Sequence, residues 1–362
     1  MLVAQETGAS VGGIEPPPSC PAGPLRRILS AAVVLTVLLA ILTGLYLLVR
    51  ISSRPVARAW DFLMGDPSAR VDAHFRLVIL DVRLRGTFAA VFVGVCLGAA
   101  GCLLQAVTRN PLADSWLIGV NFGCSLGLVI GFTYFGVRSS YVLLVWALAG
   151  GMAASVVVLL LAAWGRGAAS LLRLVLVGSA LVATFYGMTS YVLLSTQSTF
   201  DTFGYWTIGS LAGLKTSVTC PLIPVIVIGL LVVFGSARSL VALALGEDGA
   251  RALGHRPGLI RVVVAAALAL LAGSAVPISG PIAFVGLLTS HAARAVSGSR
   301  MAAQLALSAL IAVDVMIAAD ILTRVAIRPW ETAVSVFLAF VGGPLLIWIA
   351  RSRRLSTAGG TA

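Results

Sequence analysis

Charge is rare in this chain, so the places where it occurs are informative. The run AQLALSALIAVDVMIAADILTRVA (303–326) is hydrophobic apart from a handful of residues, among them the carboxylates of Asp314 and Asp320 and the guanidinium of Arg324. If such a run crosses a bilayer, an ionisable group within it is costly and is by default a candidate for substrate, proton or ion-pair chemistry. Asp320 and Arg324 are four residues apart, a spacing that brings both to one helix face as an ion pair. Asp314 has no partner at that spacing. It is protonated, bonded across helices, or engaged with a proton or a substrate.

A second cluster lies in LALGEDGARALGHRPG (243–258), where two acids, three further cationic or titratable side chains and four glycines separate two long apolar runs. Glu247 and Asp248 suit the first turn of a short helix, at the positive end of its dipole. Glu247 and Arg251 form an i,i+4 pair in the favourable order. Gly254 is placed as the left-handed residue that ends the helix, and Pro257 as the first turn of a second short helix. The spacing leaves two readings open: a capped connector, or a docking surface for another protein.

Other chemistry is excluded by composition and spacing. The five cysteines form no CxxC and the three histidines are far apart, so neither a disulfide framework nor a metal centre is expected. GSLAGLKT (209–216) approaches a phosphate-binding loop, but Gly213 comes one place too early, Leu214 fills the glycine site, and no strand precedes it. No nucleophile–base arrangement is present. The net charge of +12 is spread between apolar runs without a basic stripe, so nucleic acid is not an expected partner.

The elements that must position these groups follow from hydropathy. With 59% hydrophobic and only 10% charged residues, and a mean hydropathy of +1.04, the chain belongs to the membrane class. Its apolar runs are continuous rather than alternating, which selects helices over a barrel. The expectation is an all-α integral membrane protein with about ten spans, near 28–49, 87–107, 116–136, 141–164, 171–194, 221–241, 260–278, 281–297, 303–324 and 333–350. Residues 1–27 and 353–362 read as tails, and 50–86 as a basic, arginine-rich loop. The eighth span is short and begins Gly280-Pro281. An even count puts both termini on one side, and the arginines flanking the first and last spans place that side in the cytoplasm. Gly119, Gly123, Gly127 and Gly131 recur every fourth residue and so line one helix face. That face serves close helix packing, a smooth wall of a translocation path, or both.

Four stretches then carry a resemblance. VRLRGTFAAVFVG (82–94), QAVTRNPLADSWLIGVNFGCSLG (105–127), LGEDGARALG (245–254) and SGPIAFVGLLTSHAAR (279–294) resemble, in order, the motifs of the FecCD-type permeases of bacterial ABC importers. Members of that family carry ferric siderophores, haem or cobalamin. The resemblance implies a type II importer permease with ten helices, no cofactor, and cytoplasmic termini. It implies as partners a second permease subunit, two ATP-binding subunits and an extracytoplasmic solute-binding protein, all within membrane lipid. It assigns ATPase coupling to helices within about 243–260, on Leu245, Gly246, Glu247, Ala250, Arg251, Leu253 and Gly254. Binding-protein docking falls to Arg83, Arg85 and Arg324.

The sequence also departs from the family pattern. The R-L-P-R motif reads Arg83-Leu84-Arg85-Gly86, the residue after Asp114 is Ser115, and Ser290 precedes His291. Ser299-Arg300-Met301 replaces the usual Asp-His-Arg, and the last outer loop reads Trp330-Glu331-Thr332-Ala333-Val334-Ser335. Two rival functions remain at this level: a proton-coupled transporter using Asp314 or Asp320, and a non-transporting scaffold.

Overall fold

A computed structural model describes residues 23–48, 83–108, 110–111, 113–116, 119–163, 171–203, 209, 222–326 and 333–358. Those residues form helices and short connections, with no strand among them. The helices are α1 (Gly23–Leu48), α2 (Arg85–Thr108), α3 (Val120–Thr133), α4 (Ser140–Ala163), α5 (Leu171–Ser195), α6 (Gln197–Phe203) and α7 (Leu222–Gly235). They continue as α8 (Ala237–Ala244), α9 (Glu247–Ala252), α10 (Pro257–Ser279), α11 (Val285–Ser297), α12 (Met301–Ala326) and α13 (Val334–Ala358).

α2 is the hub, and its sequence shows why. In RGTFAAVFVGVCLGAAGC every third or fourth position is Gly, Ala or Cys, so neighbouring backbones can approach it from several sides. In lipid no hydrophobic force drives helices together, and such close approach supplies the packing energy instead. α12 is its most extensive neighbour, followed by α10 and α11. A Cβ on Gly94 would lie 2.7 Å from the Val313 Cα, and one on Gly98 would meet the Ser308 carbonyl oxygen at 2.5 Å. α1 lies at the periphery: Val33, Val34, Val37 and Ile41 are exposed, as a helix facing hydrocarbon requires.

The predicted spans and the observed helices differ where helices break. Among the described residues, six helices are long and apolar enough to cross a bilayer singly, and α7 with α8 would make a bent seventh. The expected sixth span over 221–241 is not one straight helix: it bends by 47° at Ser236, and α8 is a separate short helix with one apolar face. The third and eighth predicted spans are occupied by α3 and α11, of 14 and 13 residues, and the apolar part of α13 is Val334–Ile347. Gly280-Pro281 ends α10 before α11 can begin, which is why a 17-residue apolar run yields only 13 helical residues. The second short helix expected at Pro257 is instead the first turn of the 23-residue α10. Proline at N1 is compatible with either length, so the local signal did not distinguish them.

Candidate functional site

Three places hold the polar groups singled out by sequence. The first is α9 and its flanks. Gly246 precedes the helix at φ 117°, ψ 162°, a region open only to glycine, and lets the chain turn sharply out of α8. At the other end Gly254 takes φ 80°. Its N–H donates to the Arg251 carbonyl at 2.9 Å, while the N–H of His255 donates to the Ala250 carbonyl at 2.9 Å. Together these two bonds are the complete Schellman closure. A six-residue helix has almost no stability of its own, so its shape depends on these two glycines and on Ala250, which is fully buried. What it presents is unusual for a charged loop: Leu245 is 70% and Leu253 59% exposed. Arg251 bonds Asp248 at 2.9 Å across one turn. The side chain of Glu247, and with it the expected Glu247–Arg251 pair, lies outside the described residues.

The second place joins the end of α1 to the start of α2 and the end of α12. Arg324 Nε donates to Asp320 Oδ2 at 3.0 Å, the ion pair that the i,i+4 spacing predicts. The Arg324 guanidinium also lies over the Tyr46 ring, 5.2 Å from its centroid. Arg83 Nη1 donates to the backbone carbonyl of Tyr46. Arg83 is buried, Arg324 partly buried and Arg85 half-buried, so this end is less open than an arginine-rich loop alone suggests. Sequence reasoning did not find Tyr46. A tyrosine near the end of an apolar run is an ordinary interfacial residue, and nothing in its spacing ties it to Arg83 or Arg324.

The third place is the junction of two broken helices, and it unites two of the family motifs. Asp114 is buried in the turn between α2 and α3. Its Oδ1 accepts the N–H of Ser115 and its Oδ2 the N–H of Phe284, both at 2.9 Å. Phe284 is the residue before α11, at φ 68°, and is the one non-glycine with positive φ among the described residues. A carboxylate on the first N–H of a helix satisfies an orphan donor and complements the dipole. Next to it Asn121 Nδ2 donates to the Ile282 carbonyl at 3.3 Å, and Arg294 donates to Gln105 at 3.3 Å. Gly101 and Gly286 stack backbone on backbone, and a Cβ on Gly286 would sit 2.8 Å from the Gly101 Cα and 2.9 Å from Asp114 Oδ1. Asp114 entered the sequence reading only as part of a motif. Its role as a cap depends on a residue 170 positions away, which no local pattern reports.

The glycine ladder of α3 faces α4. A Cβ on Gly123 would fall on Ala154, one on Gly127 on the Trp146 carbonyl, and one on Gly131 within 2.6 Å of the Trp146 ring. Gly119, the N-cap at φ 80°, faces Val182 of α5 instead. Asp314 is buried in α12, and neither carboxylate oxygen has a hydrogen-bond partner among the described residues.

A bundle of broken apolar helices around a small-residue hub, with a capped amphipathic turn between its sixth and seventh predicted spans, is the architecture of an ABC-transporter permease. The chain superposes on a solved metal-chelate type ABC transporter in an inward-facing conformation with a TM-score of 0.74 and 25% identity, covering 90% of this chain and 99% of that one. It belongs to the FecCD transport family, whose pattern matches residues 35–352. It is 39% identical over 321 residues to the ferric enterobactin transport system permease protein FepD of Escherichia coli strain K12, covering 88% of this chain and 94% of that protein. To the hemin transport system permease protein HmuU of Yersinia pestis it is 31% identical over 291 residues, or 77% and 85% of the two chains. The chain is a transmembrane permease subunit of an ABC importer.

Proposed function

We propose that this permease subunit carries a ferric chelate of the siderophore or haem type inward across the bacterial plasma membrane. It would work by alternating access in a complex with a second permease subunit. Two separate ATP-binding subunits engage α9 and drive the cycle, and an extracytoplasmic solute-binding protein docks where Arg83, Arg85 and Arg324 gather. Both termini are cytoplasmic in this arrangement. The substrate class rests on the relatives, whose names specify ferric enterobactin and hemin.

The observation that carries the coupling role is α9 itself. Gly246 and the Schellman closure at Gly254 bound a six-residue helix, and Leu245 and Leu253 on its two flanks are exposed. An exposed apolar pair on a preorganised, polar-flanked element is what a partner's pocket recognises. A solvated connector needs neither the closure nor the leucines. A ligand-driven cycle requires that ATP-induced motion reach the spans, and α9 is joined to α10 through only His255 and Arg256 after the Schellman glycine, so its displacement is passed to a 23-residue helix. Replacing Leu253 by Arg should abolish stimulation of ATP hydrolysis in the reconstituted complex. Normal stimulation in that variant would refute the coupling role.

A second reading has one observation in its favour. The Asp314 carboxylate, with no hydrogen-bond partner among the described residues, is the kind of group a proton-coupled carrier uses. Uptake by the chain alone in proteoliposomes, driven by a pH gradient without nucleotide, would establish that reading in place of the first.

A further inference from the structure

The end of the bundle holding Arg83 and Arg324 is built around one aromatic side chain. Tyr46 is 1% exposed, yet it lies near the end of a helix whose other described side chains are exposed or partly buried. It touches both arginines by different means: its backbone carbonyl accepts Arg83 Nη1, and its ring lies under the Arg324 guanidinium at 5.2 Å. Asp320 fixes the other side of Arg324 through Nε at 3.0 Å. The tyrosine hydroxyl lies near the Asp320 carboxylate without a hydrogen bond of good geometry among the described residues. Its seat is provided by Gly86. A Cβ there would collide with the Tyr46 hydroxyl oxygen and lie 3.4 Å from Cζ, an ordinary contact. Gly86 is one of the positions where the sequence departs from its family's arginine motif, and the space it leaves is filled by Tyr46.

We infer that Tyr46, seated against Gly86 and tied to Arg83 through its backbone carbonyl, is a positioning residue whose ring sets the orientation of the Arg324 guanidinium for a carboxylate of the docking protein. This deepens, and rests on, the reading of that end as the solute-binding-protein surface. A guanidinium recognises a carboxylate through a planar fork, so its orientation matters as much as its charge. Arg324 sits on α12 and Arg83 just before α2, and Tyr46 is the residue that both contact, Arg83 through the Tyr46 backbone carbonyl and Arg324 through the ring. Removing the ring would leave every charge in place but release Arg324 from its aromatic contact.

The test is docking of the solute-binding protein to the intact importer complex in lipid nanodiscs, followed by stopped-flow association and dissociation. Tyr46→Phe keeps the ring over which the Arg324 guanidinium lies, so its affinity should match the native complex. Tyr46→Leu should weaken docking about three- to thirty-fold, the range expected for loss of a cation–π contact. The loss should fall in the dissociation rate, with the association rate and its salt dependence retained, because no charge is altered. Gly86→Ala should weaken docking too, and Gly86→Ala/Tyr46→Phe should restore it to within about twofold, since the colliding oxygen is gone. That rescue is a readout that holds even where Tyr46→Leu does not fold. Native docking by Tyr46→Leu, or a double variant as weak as Gly86→Ala, would overturn the positioning role while Arg324→Glu still weakens docking. Native docking by Arg324→Glu would instead overturn the docking surface itself, and the positioning role with it.

Discussion

Asp114 and Phe284 are joined by a 2.9 Å hydrogen bond across 170 residues of sequence, and that bond fastens the turn after α2 to the start of α11. The chain breaks between α2 and α3 and again between α10 and α11, and Ala113, Asp114, Ser115 and Ile282 at those breaks are buried. Irregular backbone at membrane depth persists only where its polar groups are satisfied within the protein. The Asp114 carboxylate does this for Ser115 and Phe284 at once.

The first prediction follows from that double acceptance. Asp114→Asn retains one acceptor oxygen and places an NH₂ against the second N–H. One buried backbone donor then loses its partner, at a cost of about 1–3 kcal/mol. Asp114→Ala strands both donors and should be the more destabilising. Thermal unfolding of the purified permease in detergent, with folded yield as a second measure, should rank native, Asn and Ala in that order.

The α3 ladder yields a prediction that separates packing from passage. Gly127→Ala places a methyl on the Trp146 carbonyl, and Gly123→Ala places one on Ala154. Overpacking of this kind costs roughly 1–3 kcal/mol or more. Each variant should melt lower yet transport the same range of solutes when folded. A changed solute range at unchanged stability would mark the ladder as a path wall.

The Asp320–Arg324 pair is part-buried, with side-chain exposures of 6% and 17%. Removing one partner strands the other, and breaking such pairs costs up to about 3–5 kcal/mol. Asp320→Asn and Arg324→Gln should each destabilise, and the double variant should be less destabilised than the sum of the singles. A thermodynamic cycle on unfolding midpoints measures the coupling.

Gly246 and Gly254 give the fourth prediction. Alanine at φ 117° or φ 80° is strained by about 1–3 kcal/mol. Neither site meets a neighbour within 4 Å, so the effect is conformational rather than steric. Gly254→Asn, which tolerates the left-handed region, should be milder than Gly254→Ala. Proteolytic cutting within 243–258 should rise in the alanine variants while the spans remain folded.

How far these features could be read from sequence depends on the range of the forces involved. The closure at Gly254, the Asp320–Arg324 pair and the small-residue face of α3 are set by residues within four positions of one another; the first two are found where the spacing puts them, and of the four predicted face glycines Gly123, Gly127 and Gly131 share the face toward α4 while Gly119 turns toward α5. The bend at Ser236 and the merging of Pro257 into α10 were not legible, because the same apolar run suits a straight or a bent helix. Tyr46 and Asp114 act through residues on other helices. Arg83, expected at an exposed surface, is buried because it reaches the Tyr46 carbonyl, a contact made by tertiary packing alone.

The central claim is that α9 receives the work of separate ATPase subunits. Its most direct test is a proteoliposome assay containing the complete importer, with ferric-chelate uptake and ATP hydrolysis followed together for the native chain and for Leu253→Arg. The native complex should take up the ferric chelate in an ATP-dependent way, and the variant should lose both uptake and stimulated hydrolysis with binding-protein docking retained. Uptake that persists in Leu253→Arg, or that the chain performs alone on a pH gradient without nucleotide, would contradict it.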